Sequence, residues 1–233
     1  MSQPSNPAVS SESASSVSDT KQSRVACFID GYNLYHAINW YEYGKTDEEN
    51  RKYRKYKWLS LTELAKCYIS PVSQQLVEVR YFTTFTTANS MKLLRHRLFV
   101  WAQECQGVKV AYGTFREALV QCQGTCEQWY SIQREKQTDV KIAVTMLEMA
   151  RTNLYDKALI ISGDADLIPA IDLIRKDKEV AVVVPIGRKG HDIESACGRN
   201  KFTMTEDHLK RCQLPAKLKH PTGKYILKPD EYK

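Results

Sequence analysis

The stretches RVACFIDG, at residues 24–31, and KALIISGD, at residues 157–164, indicate the fold class. Each is a nearly continuous apolar run that ends with an aspartate beside a glycine. An apolar run of this length is typical of a parallel strand that is covered on both faces. Further runs of this kind alternate with helical patterns of about 10–15 residues, which indicates βαβ units with right-handed crossovers. We therefore expect an α/β protein with a mostly parallel sheet and helices on both of its faces.

The expected elements cover most of the chain. Strands are predicted at residues 24–30, 76–83, 108–115, 157–164, 180–184 and 201–205. Helices are predicted at residues 32–43, 90–105, 138–151, 167–176 and 191–197, with one more that begins at Ser60. Ser60 and Glu63 have the spacing of a capping box. Residues 44–57 are expected to form a loop or an exposed helical stretch, and residues 116–137 an irregular connection.

The chain of 233 residues is expected to hold one folded domain, at residues 24–212. Hydrophobic residues make up 42% of the sequence, which is enough for a sizeable core. Residues 1–23 are rich in serine and offer almost nothing to bury, so we expect them to be disordered. Residues 213–233 are rich in lysine, contain three prolines and are expected to form an extended basic arm.

The charge balance favours an anionic partner. Lys and Arg number 34 against 27 Asp and Glu, which gives a formal charge of +7. An excess of this sign is typical of proteins that bind nucleic acid or an anionic membrane surface. No run of about 18 apolar residues is present, so no segment is expected to span a bilayer. The first residues also lack the apolar core of a secretory signal, and a cytoplasmic location follows by default.

Aspartates follow two of the predicted strands, where a ligand site is expected. Asp30 ends the first strand, Asp164 ends the run at 157–164, and Asp166 comes shortly after it. In an open parallel sheet, ligands bind outside the carboxyl ends of the strands, near the point where strand order reverses. If these two strands are neighbours there, three carboxylates face one crevice, and Asp139 at a helix start closes the group. Taken singly, each acid is more typical of a helix cap or a turn, and Asp166 is suited to cap the helix predicted from residue 167.

Acids gathered in one crevice predict a metal ion. Three or four carboxylates repel one another at neutral pH unless some are protonated or a cation lies among them. Oxygen ligands select hard dications such as Mg²⁺ or Mn²⁺, and a water on such an ion can be a nucleophile. The sequence has neither a G-x-x-x-x-G-K-[ST] loop nor a G-x-G-x-x-G after a strand, which argues against a P-loop NTPase and a dinucleotide-binding protein. Tyr32 stands where an aspartyl-phosphate phosphatase usually needs its second acid.

Three motifs resemble those of the NYN-domain family of the PIN-like nuclease superfamily. They are FIDGYN at 28–33, EKQTDV at 135–140 and SGDADLIP at 162–169, and they occur in the family's order. The resemblance implies a three-layer α/β/α sandwich with a PIN-like sheet, and cleavage of RNA that depends on Mg²⁺ or Mn²⁺. An endonuclease is favoured over an exonuclease. By the same resemblance, the metal-site acids are Asp30, Asp139, Asp164 and Asp166. Asn33 is expected either to orient water or phosphate or to cap the helix that follows.

The match departs from the family at Thr145, where many relatives carry an acid. This departure leaves open whether the site holds one metal ion or two. It also supports an alternative function, that of a catalytically weak or inactive RNA-binding protein of the same fold. A third alternative is a regulatory protein that contacts a protein partner through its terminal segments. DNA as the substrate and a homodimer also stay open.

Basic residues near the same end of the sheet are the predicted nucleic-acid contacts. They are Arg51, Lys52, Arg54, Lys55, Lys57, Arg188 and Lys189. The first five are interleaved with aromatic residues, so that cations can hold phosphates while rings stack on unpaired bases. The alternative is a solvated face whose tyrosines pack inward. The last two follow the strand at 180–184, and a polar turn is the alternative there.

Of the seven cysteines, five are expected to be reduced thiols of the core or surface, namely Cys27, Cys67, Cys105, Cys197 and Cys212. Cys122 and Cys126 lie in the connection at 116–137 and supply half of the four ligands that a zinc ion needs. Free thiols in a loop, or a disulfide under oxidation, are the alternatives to zinc.

Overall fold

The computed structural model of the protein describes residues 22–42, 53–85, 89–122, 124, 126 and 128–233. Its strands are β1 (Ser23–Asp30), β2 (Gln74–Thr83), β3 (Lys109–Tyr112), β4 (Thr114–Gln121), β5 (Trp129–Lys136), β6 (Lys157–Ile161), β7 (Glu179–Val184), β8 (Lys201–Thr203), β9 (Lys217–Lys219) and β10 (Tyr225–Leu227). Its α-helices are α1 (Gly31–Glu42), α2 (Leu61–Lys66), α3 (Ser90–Glu104), α4 (Thr138–Arg151), α5 (Ile168–Ile174), α6 (His191–Cys197) and α7 (Glu206–Arg211). Short 3₁₀ turns lie at Lys55–Lys57, Ala165–Leu167 and Asp230–Tyr232.

The central sheet has six strands in the order β3-β2-β1-β6-β7-β8. Every neighbouring pair in it is parallel. The chain moves outward from β1 through β2 to β3 on one side, and from β6 through β7 to β8 on the other. Strand order therefore reverses between β1 and β6, and a ligand crevice is expected at the carboxyl ends of these two strands.

Alternate residues of β1 face opposite layers of the molecule. Cys27 and Ile29 pack in one buried cluster with Leu34 of α1. Phe28 packs in the other cluster with Ile142 of α4. Because both faces of the sheet are covered by helices, its strands need apolar residues at successive positions, which explains the continuous apolar runs. The predicted α/β/α sandwich with a mostly parallel sheet is confirmed.

Residues 116–137, expected to be irregular, mostly form an antiparallel hairpin. β4 pairs with β5 from Thr114↔Lys136 to Gln121↔Trp129. The hairpin buries little of its own surface, and Leu119 is 70% exposed. The expectation of an irregular connection is wrong, because a ribbon that buries so little carries no apolar run to reveal its strands.

The carboxyl-terminal segment also differs from the expectation. Residues 213–233 include the hairpin of β9 and β10 instead of forming an extended arm. Leu218 and Ile226 on this hairpin are buried in one cluster with Trp58 and Ala102, and the Trp58 Nε1 group donates a hydrogen bond to the Pro215 carbonyl at 3.0 Å. The prediction of an extended arm is wrong, because two apolar side chains of this lysine-rich segment pack against apolar side chains of the domain.

The charged stretch at 44–57 is described only from residue 53 onward. Tyr56 lies in the 3₁₀ turn there and is 1% exposed, so one of its tyrosines packs inward. The predicted contacts Arg51 and Lys52 lie outside the described residues, as does the expected disordered leader up to residue 21. Among the helices that are described, none is long and apolar enough to cross a membrane.

Candidate metal centre

Three carboxylates meet at the carboxyl ends of β1 and β6. Asp30 ends β1, Asp164 follows β6, and Asp139 lies in the first turn of α4. One oxygen from each of them lies within 4.8 Å of the others. The parallel pairing of β1 with β6, with Ile29 opposite Ile161, brings the ends of the two strands to one place. The structure therefore gathers three of the four predicted acids at the point where strand order reverses.

Asp30 is the most deeply buried of these acids, at 3% exposure. Its Oδ1 accepts a hydrogen bond from the backbone N–H of Asn33 at 2.9 Å, and its Oδ2 accepts one from Ser162 Oγ at 2.9 Å. Burial, together with the nearby charges of Asp139 and Glu135, raises the pKa of Asp30 to about 6, although the two hydrogen bonds oppose the shift. In the absence of a cation, the surroundings of Asp30 therefore disfavour the charged form of its carboxyl group.

Asp164 organises the loop that follows β6. Its backbone N–H donates to Ser162 Oγ at 3.1 Å, and its Oδ1 accepts from the backbone N–H of Asp166 at 3.0 Å. Asp164, and not Asp166, therefore caps the turn that precedes α5, which corrects the cap expected at Asp166. The turn begins as a 3₁₀ turn at Ala165–Leu167, so the predicted helix from residue 167 becomes regular α-helix only at Ile168.

Asp139 and Asp166 lie on the open side of the group. Burial raises the pKa of Asp139, and the charges of Asp164, Glu135 and Asp166 raise it further. Asp166 is exposed and stands outside the set of three acids whose oxygens lie within 4.8 Å. Its charge still reaches Asp139, so Asp166 lies at the rim of the site, and its role as a metal ligand stays a prediction.

The position of Asp139 depends on the hairpin of β4 and β5. Glu135, on β5, accepts hydrogen bonds at Oε1 from Thr84 Oγ1 at 2.8 Å and from Thr138 Oγ1 at 2.5 Å. Gln137 then takes a left-handed conformation with φ of 75° at the start of α4. A non-glycine residue in this region of backbone space is unfavourable unless its surroundings enforce it, and such strain is common at functional sites.

Asn33 joins the ends of the two strands. Its Oδ1 accepts a hydrogen bond from the backbone N–H of Gly163 at 3.2 Å, while its own backbone N–H binds Asp30. The side chain therefore ties the loop after β6 to the first turn of α1. It does not act as the helix cap that was the alternative reading, and its role toward water or phosphate stays a prediction.

Sequence patterns did not single out Ser162 and Glu135 as site residues. Ser162 is fully buried and links Asp30 with the backbone of Asp164. Glu135 adds a further negative charge that raises the pKa values of Asp30 and Asp139. Both residues belong to the motifs at 135–140 and 162–169, which is the only signal for them in the sequence.

The predicted basic contacts fall into two groups. Arg188 and Lys189 border the site, since a Cβ placed on Gly163 would lie 3.5 Å from Arg188 Cβ and 3.7 Å from the Lys189 carbonyl oxygen. Lys57 Nζ donates to Asn39 Oδ1 of α1 at 2.9 Å. Arg54 and Lys55 are exposed at the adjoining turn, where Lys55 Nζ lies 5.6 Å from the centre of the Tyr56 ring.

The donor set fits a hard divalent ion. Oxygens that share one Mg²⁺ stand roughly 3–4 Å apart, given metal–oxygen distances of about 2.0–2.1 Å, and somewhat farther apart around a larger ion. One oxygen from each of the three carboxylates lies within 4.8 Å of the others, which is close to the spacing of oxygens around one metal ion. Within the described part of the chain, Cys122 and Cys126 have no third metal-type ligand beside them, so a four-ligand zinc site is not formed there.

The three-layer α/β/α fold and the acidic cluster at the switch point of the parallel sheet are those expected of a PIN-like protein, a class to which metal-dependent nucleases belong. Within that class, this chain belongs to the NYN-domain family, whose model matches residues 24–202. The resemblance inferred from the three motifs is thereby confirmed.

Individual relatives are more distant. The chain is 29% identical over 104 residues to 6-hydroxy-3-succinoylpyridine 3-monooxygenase HspA from Pseudomonas putida, a match that covers 42% of this chain and 33% of that protein. It is also similar to the crystal structure of VPA0982, a protein of unknown function from Vibrio parahaemolyticus, with 16% identity and a TM-score of 0.49. That match covers 82% of this chain and 97% of the other. The chain spans only about a third of the length of HspA.

Proposed function

We propose that this protein is a ribonuclease that uses Mg²⁺ or Mn²⁺ to hydrolyse internal phosphodiester bonds of single-stranded RNA. The observation that carries the proposal is the meeting of Asp30, Asp139 and Asp164 within 4.8 Å at the reversal of strand order. Like charges packed this closely, with the pKa values of two of them raised, favour a divalent cation among them. The basic excess of the chain and its family support RNA as the substrate.

The chain's residues have separable roles in such a reaction. Asp30, Asp139 and Asp164 would hold the ion, which when bound supplies a more acidic water and positive charge for the leaving oxygen. Ser162 and Asn33 keep the ends of β1 and β6 together through their hydrogen bonds, so that the acids keep their spacing. In the hydrolysis, the water oxygen bonds to phosphorus, the bond from phosphorus to one ribose oxygen breaks, and a proton ends on that oxygen. Arg188 and Lys189 border the site and would attract the phosphate.

The test is cleavage of a circular single-stranded RNA, which has no ends and is therefore opened only by an endonuclease. We expect cleavage with Mn²⁺ or Mg²⁺ and none in EDTA. Asp164→Asn should lose at least about tenfold in rate, because charge at the metal contributes several kcal/mol to catalysis. Asp172→Asn, an exposed acid on α5, is the matched control and should cleave like the wild type.

Equal rates for Asp164→Asn and the wild type would contradict the proposal. Salt-sensitive binding of RNA without cleavage under either metal would favour the catalytically inactive RNA-binding alternative instead. A single-stranded DNA circle of the same sequence tests the choice of RNA, and equal cleavage of DNA would broaden the substrate.

A further inference from the structure

The first helix carries an aromatic surface beside the metal centre. Tyr32, Tyr35 and His36 lie at positions i, i+3 and i+4 of α1 and therefore share one face of the helix. The ring centroids of Tyr32 and His36 are 4.2 Å apart, and those of Tyr35 and His36 are 5.5 Å apart. Tyr32 is 48% exposed and Tyr35 is 42% exposed. We name this group of three rings the α1 platform.

The α1 platform adjoins the acids. Tyr32 is the second residue after Asp30 in the chain. The next residue, Asn33, accepts a hydrogen bond from the loop after β6. The buried side of α1 is supplied by Leu34, Ala37 and Ile38, which are at most 5% exposed. The exposed rings are therefore not needed to hold the helix on the sheet, and the Tyr32 ring, at 48% exposure, is accessible to a ligand.

Cations surround the α1 platform. The pKa of His36 is lowered chiefly by burial and also by the positive charges of Arg188 and Lys92. Lys57 Nζ lies 5.5 Å from the centre of the Tyr35 ring. Arg188 also borders Gly163 in the loop that carries Asp164. Positive charge thus extends from the metal centre to the rings.

Exposed rings among cations match one class of ligand. In single-stranded nucleic acids, phosphates interact with Lys and Arg while unpaired bases stack on aromatic side chains, whatever the base. In a duplex, the faces of the bases are covered by their neighbours, so the same rings have nothing to stack on. A small anion would use the cations and leave the rings without a role.

We propose that the α1 platform stacks an unpaired base next to the phosphate bound at the metal centre and so makes the protein selective for single strands. This inference rests on the proposed ribonuclease function for the site beside it. Tyr32 contributes the exposed face, His36 supports it from the next turn of the helix, and the surrounding cations hold the neighbouring phosphates. Stacking of this kind does not depend on the identity of the base.

The test measures binding by fluorescence anisotropy in Mg²⁺, in an Asp164→Asn background that slows cleavage. The probes are a labelled oligouridylate and an RNA duplex of equal length. We expect Tyr32→Ala to weaken binding of the single strand about tenfold and to leave duplex binding unchanged, because loss of one stacking ring affects unpaired bases only. Tyr32→Phe keeps the ring and should retain binding. Tyr225→Ala, which removes an exposed tyrosine from the hairpin of β9 and β10, is the matched control.

The outcomes separate this inference from the proposed function. A parallel loss of single-strand and duplex binding in Tyr32→Ala, or no loss of either, would overturn the platform while leaving metal-dependent cleavage intact. If wild-type protein cleaves nothing yet Tyr32 still sets the preference for single strands, the platform stands and the nuclease proposal fails. Thermal denaturation of each variant checks that it is folded.

Discussion

The groups around the carboxyl group of Asp30 have opposite effects on its pKa. Two hydrogen bonds favour its charged form, whereas burial and the neighbouring acids disfavour it more strongly and set its pKa at about 6. A folded-state pKa above the ordinary 3.8 means that the folded protein holds this proton more tightly than the unfolded chain does. The stability that the proton contributes is complete below 3.8 and is lost as the pH rises through about 6.

Asp30→Asn is therefore expected to raise the stability of the metal-free protein at neutral and alkaline pH. The gain in the free energy of unfolding should reach about 3 kcal/mol above pH 6 and shrink toward zero below pH 4, because each unit of pKa shift corresponds to about 1.4 kcal/mol. Denaturant unfolding in EDTA across this pH range is the measurement. The variant should also lose the stabilisation that Mn²⁺ gives to the wild type.

Asp172→Asn serves as the control, since that acid is exposed on α5 and should leave the pH profile unchanged. A variant that is less stable than the wild type at every pH would show that the hydrogen bonds of Asp30 outweigh the cost of its burial.

The start of α1 is fixed by a close approach that only glycine permits. A Cβ on Gly31 would lie 2.5 Å from the carbonyl oxygen of Phe82 and 2.6 Å from Tyr81 Cε2. The carbonyl belongs to β2, which is paired with β1 and does not move independently of the sheet. Gly31 therefore allows the start of α1 and the end of β1 to pack closely against β2.

Gly31→Ala is expected to lower the free energy of unfolding by about 1–3 kcal/mol, since the added methyl group forces a shift of well-packed backbone. Chemical denaturation measures the change. The matched control is Gly124→Ala in the loop between β4 and β5, where the nearest atom of the described residues to an added Cβ is Cys122 Sγ at 3.5 Å. Equal stabilities of the two variants would mean that α1 can move away from β2 at little cost.

The hairpin of β4 and β5 links two distant parts of the site. Glu135 at its end contacts Thr84, which follows β2, and Thr138, which begins α4. Thr84 and Glu135 are 51 residues apart in the chain. An exposed ribbon of this kind is thus part of the support for Asp139, although its own strands bury little.

The carboxyl-terminal residues are part of the folded molecule. Leu218 is 6% exposed and packs near Trp58, whereas Leu227 in the same hairpin is 58% exposed. We expect Leu218→Ala to lower the free energy of unfolding by about 2–3 kcal/mol, as buried leucines generally do, and Leu227→Ala to change it by less than about 0.5 kcal/mol. Thermal and chemical denaturation compare the two. Similarly small effects for both variants would indicate that this segment is an extended arm that does not stabilise the domain.

Local sequence patterns predicted those elements whose environment is simple. The runs at 25–29 and 158–161 are covered on both faces, so every residue in them is apolar, and the pattern is visible in the sequence of each run alone. The cap at Ser60 is also local, since its side chain accepts the backbone N–H of Glu63 three residues later at 3.3 Å. The hairpins at 114–136 and 217–227 escaped prediction because their strands are short or largely exposed.

The amino-acid sequence alone was sufficient to predict the α/β class, the family motifs and the acids Asp30, Asp139 and Asp164. Strand ends and helix starts can be predicted because short local sequence patterns mark them. The contacts of Ser162, Glu135 and the α1 platform were not accessible in that way. They join segments that lie 50 or more residues apart or depend on which side of a helix is left uncovered. Such proximity is set by the pairing of β1 with β6 and the packing of layers around it, and no periodicity within a single segment encodes it.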